Sequence, residues 1–128
     1  MTSNHKDNRP LSPHLTIYKP QITSVLSITH RLTGVGLYAG IFVLAWTIIL
    51  ASYNCDCVLP ILTSKPGLVL LFAWTTALFY HALNGIRHLF WDIGKGLELE
   101  TASTTGVLVL IGAVVLTTFS WVIALGGV

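Results

Sequence analysis

Charged side chains are scarce in this chain, since Asp, Glu, Lys and Arg together make up only 9% of its 128 residues. Soluble proteins carry roughly 25% charged residues. This scarcity, together with 53% hydrophobic residues and a mean hydropathy of +0.74, excludes an ordinary soluble domain. The formal net charge of +2 is too small a bias to indicate a nucleic-acid-binding protein. The composition therefore predicts a membrane protein.

Cysteine is also scarce, and Cys55 and Cys57 are the only two in the chain. They lie two residues apart in a short loop, whereas a disulfide framework needs several wider spacings. We therefore interpret them as ordinary thiols. The N-terminal segment does not resemble a cleavable signal, because the apolar run after it is too long for an h-region and no Ala-x-Ala site follows.

Three apolar runs are each long enough to cross a membrane as a helix. A helix rises about 1.5 Å per residue, so that about 20 residues cross roughly 30 Å of hydrocarbon. The sequence predicts an all-α membrane protein with three transmembrane helices in a bundle over residues 23–128. The predicted spans are about 25–51, 67–90 and 104–125. Residues 1–22 are polar and contain three prolines, which predicts an extended or turn-rich arm instead of a long helix.

The basic residues are distributed unequally between the two sides of the predicted bundle. Lys65 stands alone on one side. The other six, on the side of the N-terminus, are Lys6, Arg9, Lys19, Arg31, Arg87 and Lys95. Because cytoplasmic loops carry an excess of Lys and Arg, the N-terminus is predicted to face the cytoplasm, or the matrix if the chain is mitochondrial.

A histidine lies deep in the second predicted span. His81 precedes Asp92 by eleven residues, which places it roughly 16 Å from the helix end and near the bilayer midplane. On a helix, His81, Gly85 and His88 share one face, and the glycine allows a flat cofactor or another helix to approach closely. A buried imidazole needs a partner, since an unsatisfied polar group costs about 2 to 7 kcal/mol. Haem iron is one candidate, and a Ser or Thr hydroxyl on a neighbouring helix is the other.

Polar residues also line one face at the mouth of the first span. Ser27 and Arg31 are four residues apart, and Ser24 extends the same face. A hydroxyl beside an arginine is suited to hydrogen-bond a carbonyl oxygen of a small lipid-soluble ligand. The alternative is that the arginine only anchors the helix end to lipid phosphate.

The first span starts on the side where the second ends, so His30 and Arg31 are predicted to meet Arg87 and His88 at one depth. Two cations and two imidazoles in such a ring are suited to hold haem propionates. Both histidines lie nearer the interface than His81, so neither is expected to face it across a porphyrin. A haem with two histidine ligands would therefore take its second ligand from another chain.

Two motifs carry a resemblance to a known family. The first combines Arg9-Pro10-Leu11 with Ser27-Ile28-Thr29-His30-Arg31-Leu32-Thr33. The second is His81-x-x-x-Gly85-Ile86-Arg87-His88-Leu89-x-Trp91-Asp92-x-Gly94. In this order, and in a three-span chain of this length, they resemble the cytochrome b large membrane-anchor subunits of succinate dehydrogenase, also called respiratory complex II. The resemblance covers nearly the whole chain.

The resemblance implies a role for each matching residue. His81 matches the axial ligand of haem b, with the second ligand supplied by the small anchor subunit. Ser27 and Arg31 match residues of the quinone pocket, and quinone would be the substrate. His30 and Arg31 match neighbours of the haem propionates, and the second motif adds Arg87 and His88 to that neighbourhood. No residue of this chain is expected to act on succinate itself.

The resemblance also implies partners and a location. The partners would be the small membrane-anchor subunit, the iron–sulfur subunit and the flavoprotein subunit, with residues 1–22 docking on the soluble subunits. The chain would be a multi-pass protein of the bacterial cytoplasmic membrane or the mitochondrial inner membrane, with no nucleic-acid partner. Two alternatives are the anchor of a quinol:fumarate reductase and a haem-free docking subunit in which His81 is structural. A transporter subunit is disfavoured, because the chain shows no internal inverted repeat.

Overall fold

The computed structural model describes residues 19–53 and 58–126. This part of the chain is helical without strands, and its elements are α1 (Ile22–Ser52), α2 (Val58–Thr63), α3 (Lys65–Asp92) and α4 (Leu99–Gly126). Three of them, α1, α3 and α4, are long and apolar enough to cross a membrane. The predicted all-α class with three transmembrane helices is therefore confirmed, and the side on which the N-terminus lies stays a prediction. Residues 1–18 and both cysteines lie outside the described residues, so the predictions for the arm and for the thiols stay predictions.

The helices begin and end beyond the predicted spans. Helix α3 starts at Lys65, because the hydroxyl of Ser64 accepts a hydrogen bond from the Gly67 N–H at 3.2 Å and Pro66 occupies the first turn. Proline is tolerated there, since that N–H has no partner within the helix. Helix α4 starts at Leu99 with Glu100 in its first turn, where a carboxylate is favourable beside the helix dipole. Hydropathy marks the part of a helix that lies in lipid, and capping residues determine where the helix ends.

The two loops between the long helices consequently differ from those predicted. The first loop contains the short helix α2, which the sequence analysis missed. The second loop is shorter than the predicted 91–103, since only residues 93–98 separate α3 from α4. Within it, Gly94 and Gly96 both have φ of 74°, a left-handed conformation that favours glycine. This tight turn returns the chain so that α4 packs along α3.

Helix α3 lies between α1 and α4 and contacts both. A small buried cluster joins the three helices, and its apolar members are Leu26, Tyr80, Val109 and Ala113. The hydroxyl of Tyr80 donates to the carbonyl oxygen of Leu26 at 2.7 Å, which ties α3 to α1. Gly106 allows close approach, since a Cβ there would lie 2.5 Å from the Leu26 Cδ1 atom. Small residues serve the same purpose in membrane helix packing generally.

Candidate functional site

The interface between α1 and α3 contains a row of aromatic rings. The rings of His30 and His81 are stacked, with centroids 3.9 Å apart and an interplanar angle of 11°. His88 follows, with its centroid 5.0 Å from that of His30. Trp91 ends the row, in an edge-to-face contact with His88 at 4.9 Å. The imidazole column, defined as His81, His30 and His88, therefore runs from the middle of α3 towards its C-terminal end.

The contact between His30 and His81 corrects the expected separation in depth between these two residues, whereas the expectation that His30 does not face His81 across a porphyrin stays a prediction. His30 lies eight residues after Ile22, the first residue of α1, which is roughly 12 Å along the helix. His81 lies roughly 16 Å from the end of α3, so the difference in depth is less than one helical turn of about 5.4 Å. Side chains of this length reach across such a difference. The stacked rings present faces to each other, so the pair is not arranged as two axial ligands of one metal.

The hydrogen bonds of His81 define which of its nitrogens is protonated. Its Nδ1 atom lies 3.1 Å from the carbonyl oxygen of His30 and 3.2 Å from the Thr33 hydroxyl. A carbonyl oxygen only accepts, so in the neutral ring Nδ1 carries the proton and Nε2 keeps its lone pair. None of the described residues hydrogen-bonds to Nε2 of His81. Metal-ligating histidines commonly donate their other N–H to a carbonyl in this way, so His81 fits an axial ligand of haem iron.

The structure thus contains the partner that the alternative interpretation required, since Thr33 is a hydroxyl on the neighbouring helix α1. That contact uses only Nδ1 and does not conflict with ligation through Nε2. Within the residues that the structure describes, no three His, Cys, Asp or Glu side chains are grouped as a metal-ion site.

Two glycines border the stacked rings. A Cβ at Gly34 would lie 3.0 Å from the His81 Cε1 atom, so α1 leaves room for this ring only because position 34 lacks a side chain. A Cβ at Gly85 would lie 3.9 Å from the His30 Cε1 atom, which is ordinary contact. The predicted close approach at Gly85 is made here by an imidazole. No feature of the sequence pattern marked Gly34 as part of the site, although this residue directly follows the first motif.

The predicted ligand-binding residues of α1 lie together. Ser27 and Arg31 border a cleft of about 380 Å³, and the remaining lining residues are Thr23, Ser24, Ile28 and Trp91. Arg31 is exposed and Ser27 is half-buried, so both are accessible from this cleft. Trp91 belongs to α3 and supplies an aromatic side chain; it is part of the second motif, from which no role was predicted for it.

Arg87 has a different setting from that expected for a ring of cations and imidazoles. The residue is 5% exposed, and its guanidinium group donates to the carbonyl oxygen of Ala102 at 2.7 Å. It also donates to the Thr105 hydroxyl at 3.1 Å and to the Asn84 side-chain oxygen at 3.2 Å. The contacts with Ala102 and Thr105 connect α3 to α4, whereas the imidazole column lies between α1 and α3. The groups on α4 that accept them, a backbone carbonyl oxygen and a threonine hydroxyl, belong to no motif in the sequence.

Fold and site together define a class: a multi-pass helical membrane subunit with a ligand-competent histidine between two spans and a cleft bordered by a hydroxyl and a guanidinium. A family model for the succinate dehydrogenase/fumarate reductase transmembrane subunit matches residues 5–120. The chain belongs to this family.

The relatives narrow the family further. The chain is 48% identical over 127 residues to the succinate dehydrogenase cytochrome b556 subunit of Rickettsia bellii, covering 91% of this chain and 93% of the relative. It is 36% identical to the cytochrome b556 subunit of Paracoccus denitrificans, with 96% and 97% covered. It is 42% identical to the human mitochondrial cytochrome b560 subunit, with 84% and 67% covered. The chain is thus placed among the cytochrome b subunits of succinate dehydrogenase, and the resemblance noted in its motifs is confirmed.

Proposed function

We propose that this chain anchors succinate:quinone oxidoreductase in the membrane, ligates haem b through His81 and forms part of the site where quinone is reduced. The main support for haem ligation is the hydrogen bond that His81 Nδ1 donates to the carbonyl oxygen of His30, because it leaves the lone pair of Nε2 available for iron. The cytochrome b names of the relatives agree with this assignment. The second axial ligand would come from the small anchor subunit.

When bound, haem b supplies one-electron redox chemistry, and the protein contributes ligation and orientation. His30, Arg31 and His88 are the candidates for contact with the propionates, because cationic and imidazole N–H groups hydrogen-bond carboxylates strongly. Arg87, which the second motif also assigns to that neighbourhood, is the residue least available for contact with the propionates. Three of its N–H groups are already used by Asn84, Ala102 and Thr105.

The quinone site is proposed at the cleft that Ser27 and Arg31 border. A quinone carbonyl oxygen only accepts hydrogen bonds, and a hydroxyl and a guanidinium are donors of the required type. Reduction also consumes two protons. Water at the interface and the titratable His30 are the proposed sources. The rest of the pocket would be supplied by the small anchor subunit and the iron–sulfur subunit.

The distribution of Lys and Arg residues supports the proposed orientation of the chain in the membrane. With the N-terminus on the cytoplasmic or matrix side, the cleft opens towards the soluble iron–sulfur and flavoprotein subunits, and residues 1–22 dock on them. This arrangement brings a lipid-soluble acceptor within reach of electrons that come from outside the bilayer. The same geometry would serve the anchor of a quinol:fumarate reductase, which the family description also includes.

A haem-free docking subunit is the second candidate from a different class, and the contact between His81 and Thr33 favours it, since that hydrogen bond already satisfies Nδ1. The reduced-minus-oxidised visible spectrum of the purified complex distinguishes the two. We expect His81→Ala to abolish a b-type signal, while the control His5→Ala in the arm retains it. Subunit content on a gel monitors assembly. A b-type spectrum that persists in an assembled His81→Ala complex would falsify haem ligation by His81.

A further inference from the structure

The indole of Trp91 is fixed from three directions. The guanidinium carbon of Arg87 lies 4.0 Å from the centre of the ring system, which is a cation–π contact. The indole N–H donates to the carbonyl oxygen of Gly96 at 2.9 Å. The imidazole of His88 meets the indole edge-to-face. A side chain with these three partners keeps one orientation.

The partners of Trp91 are themselves fixed. Arg87 is buried and bound to three oxygen atoms on α3 and α4, so its position does not depend on Trp91. Gly96 has φ of 74° in the tight turn between the helices, which presents its carbonyl oxygen to the indole. The orientation of the indole is therefore determined by the junction of α3 and α4, although α1 provides the polar part of the cleft.

Trp91 lines two spaces. One is the cleft with Ser27 and Arg31, where Trp91 is the aromatic member of the lining. The other is a larger, mostly apolar cavity of about 510 Å³ between α3 and α4. Ligand sites typically combine aromatic walls with a few polar groups. A quinone head group is flat and electron-poor, and its stacking on an electron-rich indole is favourable.

We propose that Trp91 binds the quinone by lying against the face of its head group, and that Arg87 is a positioning residue that orients this indole. The inference rests on the proposed function, because it takes the cleft of Ser27 and Arg31 to be the quinone site. It gives Arg87 a role in quinone binding in addition to the connection between α3 and α4.

The test uses the whole purified complex and a short-chain quinone as the varied substrate. We expect Trp91→Leu to raise the KM for quinone about threefold to tenfold with little change in kcat, since aromatic stacking contributes binding of that order. Trp91→Phe, which keeps an aromatic plane, should recover most of the affinity. The matched control is Trp46→Leu, because Trp46 is 63% exposed in the second half of α1, far along that helix from the cleft. Its KM should equal that of the unmodified complex.

The role of Arg87 is tested by a double-mutant cycle. Arg87→Lys keeps the charge but lacks the planar fork that makes three hydrogen bonds and covers the indole. We expect it to raise the KM, and to add nothing further in combination with Trp91→Leu, because both changes remove the same oriented surface. Effects that multiply in the double variant would overturn the positioning role.

The outcomes separate this inference from the proposed function. If Ser27→Ala and Arg31→Ala raise the KM while Trp91→Leu does not, the cleft is the quinone site and the inference about Trp91 is wrong. If none of the three changes the KM, the proposed quinone site is wrong as well. Should Trp91→Leu fail to assemble, Trp91→Met preserves bulk without an aromatic plane, and a normal KM for that variant equally refutes the stacking.

Discussion

Replacing Gly34 by alanine tests the environment of His81 most directly. The added Cβ would lie 3.0 Å from the His81 Cε1 atom, whereas carbon atoms in favourable contact are about 3.5 to 4.0 Å apart. The ring must therefore move away from α1 by about 0.5 Å. Both hydrogen-bond acceptors of Nδ1 also belong to α1, at 3.1 and 3.2 Å. The same movement stretches these distances towards about 3.6 Å, where a hydrogen bond is lost.

The expected cost follows from these distances. A hydrogen bond of this kind contributes about 0.5 to 1.5 kcal/mol, which corresponds to a factor of about 2 to 12 in the population of correctly oriented imidazole. Alanine also favours a helix over glycine by about 0.5 to 1 kcal/mol, which must be measured separately. Gly36→Ala supplies that control on the same helix, because a Cβ there would meet none of the described atoms within 4 Å.

The assay is haem retention by the purified complex during a temperature ramp, measured from the reduced-minus-oxidised spectrum. We expect Gly34→Ala to release haem at a lower temperature than the unmodified complex, and Gly36→Ala to release it at the same temperature or higher. Identical release temperatures for the two alanine variants would refute the reasoning, because they differ only in what the new methyl group meets.

Three further predictions follow from the geometry. Arg31→Ala should lower quinone reduction at least tenfold while succinate oxidation with a soluble artificial acceptor is largely kept, since a charge-assisted hydrogen bond contributes about 1.5 to 3 kcal/mol; equal loss of both activities would indicate failed assembly instead. Thr33→Val should raise the midpoint potential of haem b in a redox titration, because fewer acceptors at Nδ1 make the imidazole a weaker electron donor; an unchanged potential would remove the hydroxyl from this role. Gly106→Ala should lower the thermal stability of the complex by about 1 to 3 kcal/mol through overlap with Leu26, whereas Gly36→Ala should not.

The three transmembrane spans were predictable because the apolar interior of the bilayer disfavours charged side chains, so that each span is a long run almost without charge. The helix ends were not, since they depend on local groups such as the Ser64 hydroxyl at the start of α3. The short helix α2 was not predicted because proline is typical of a loop. Pro60 is the third residue of this helix and lies in its first turn, where the missing N–H of proline costs little.

Part of the candidate site was predictable from spacing within one helix. Ser27 and Arg31 are one turn apart, so their shared face follows from helical geometry alone. The stacking of His30 on His81 was not predictable in this way, because it depends on how α1 and α3 are placed along each other. The direction of Arg87 depended similarly on α4, whose accepting groups are a backbone carbonyl and a threonine that no motif marks.

Helix α3 contributes to both functions proposed for this subunit, haem ligation and quinone binding. His81, His88 and Trp91 all project from α3, and Arg87 fastens the same helix to α4. A perturbation that slides α3 along its axis would alter the iron environment and the acceptor environment together. Variants at distant positions of α4 are therefore expected to change both the spectrum of the cytochrome and its affinity for quinone.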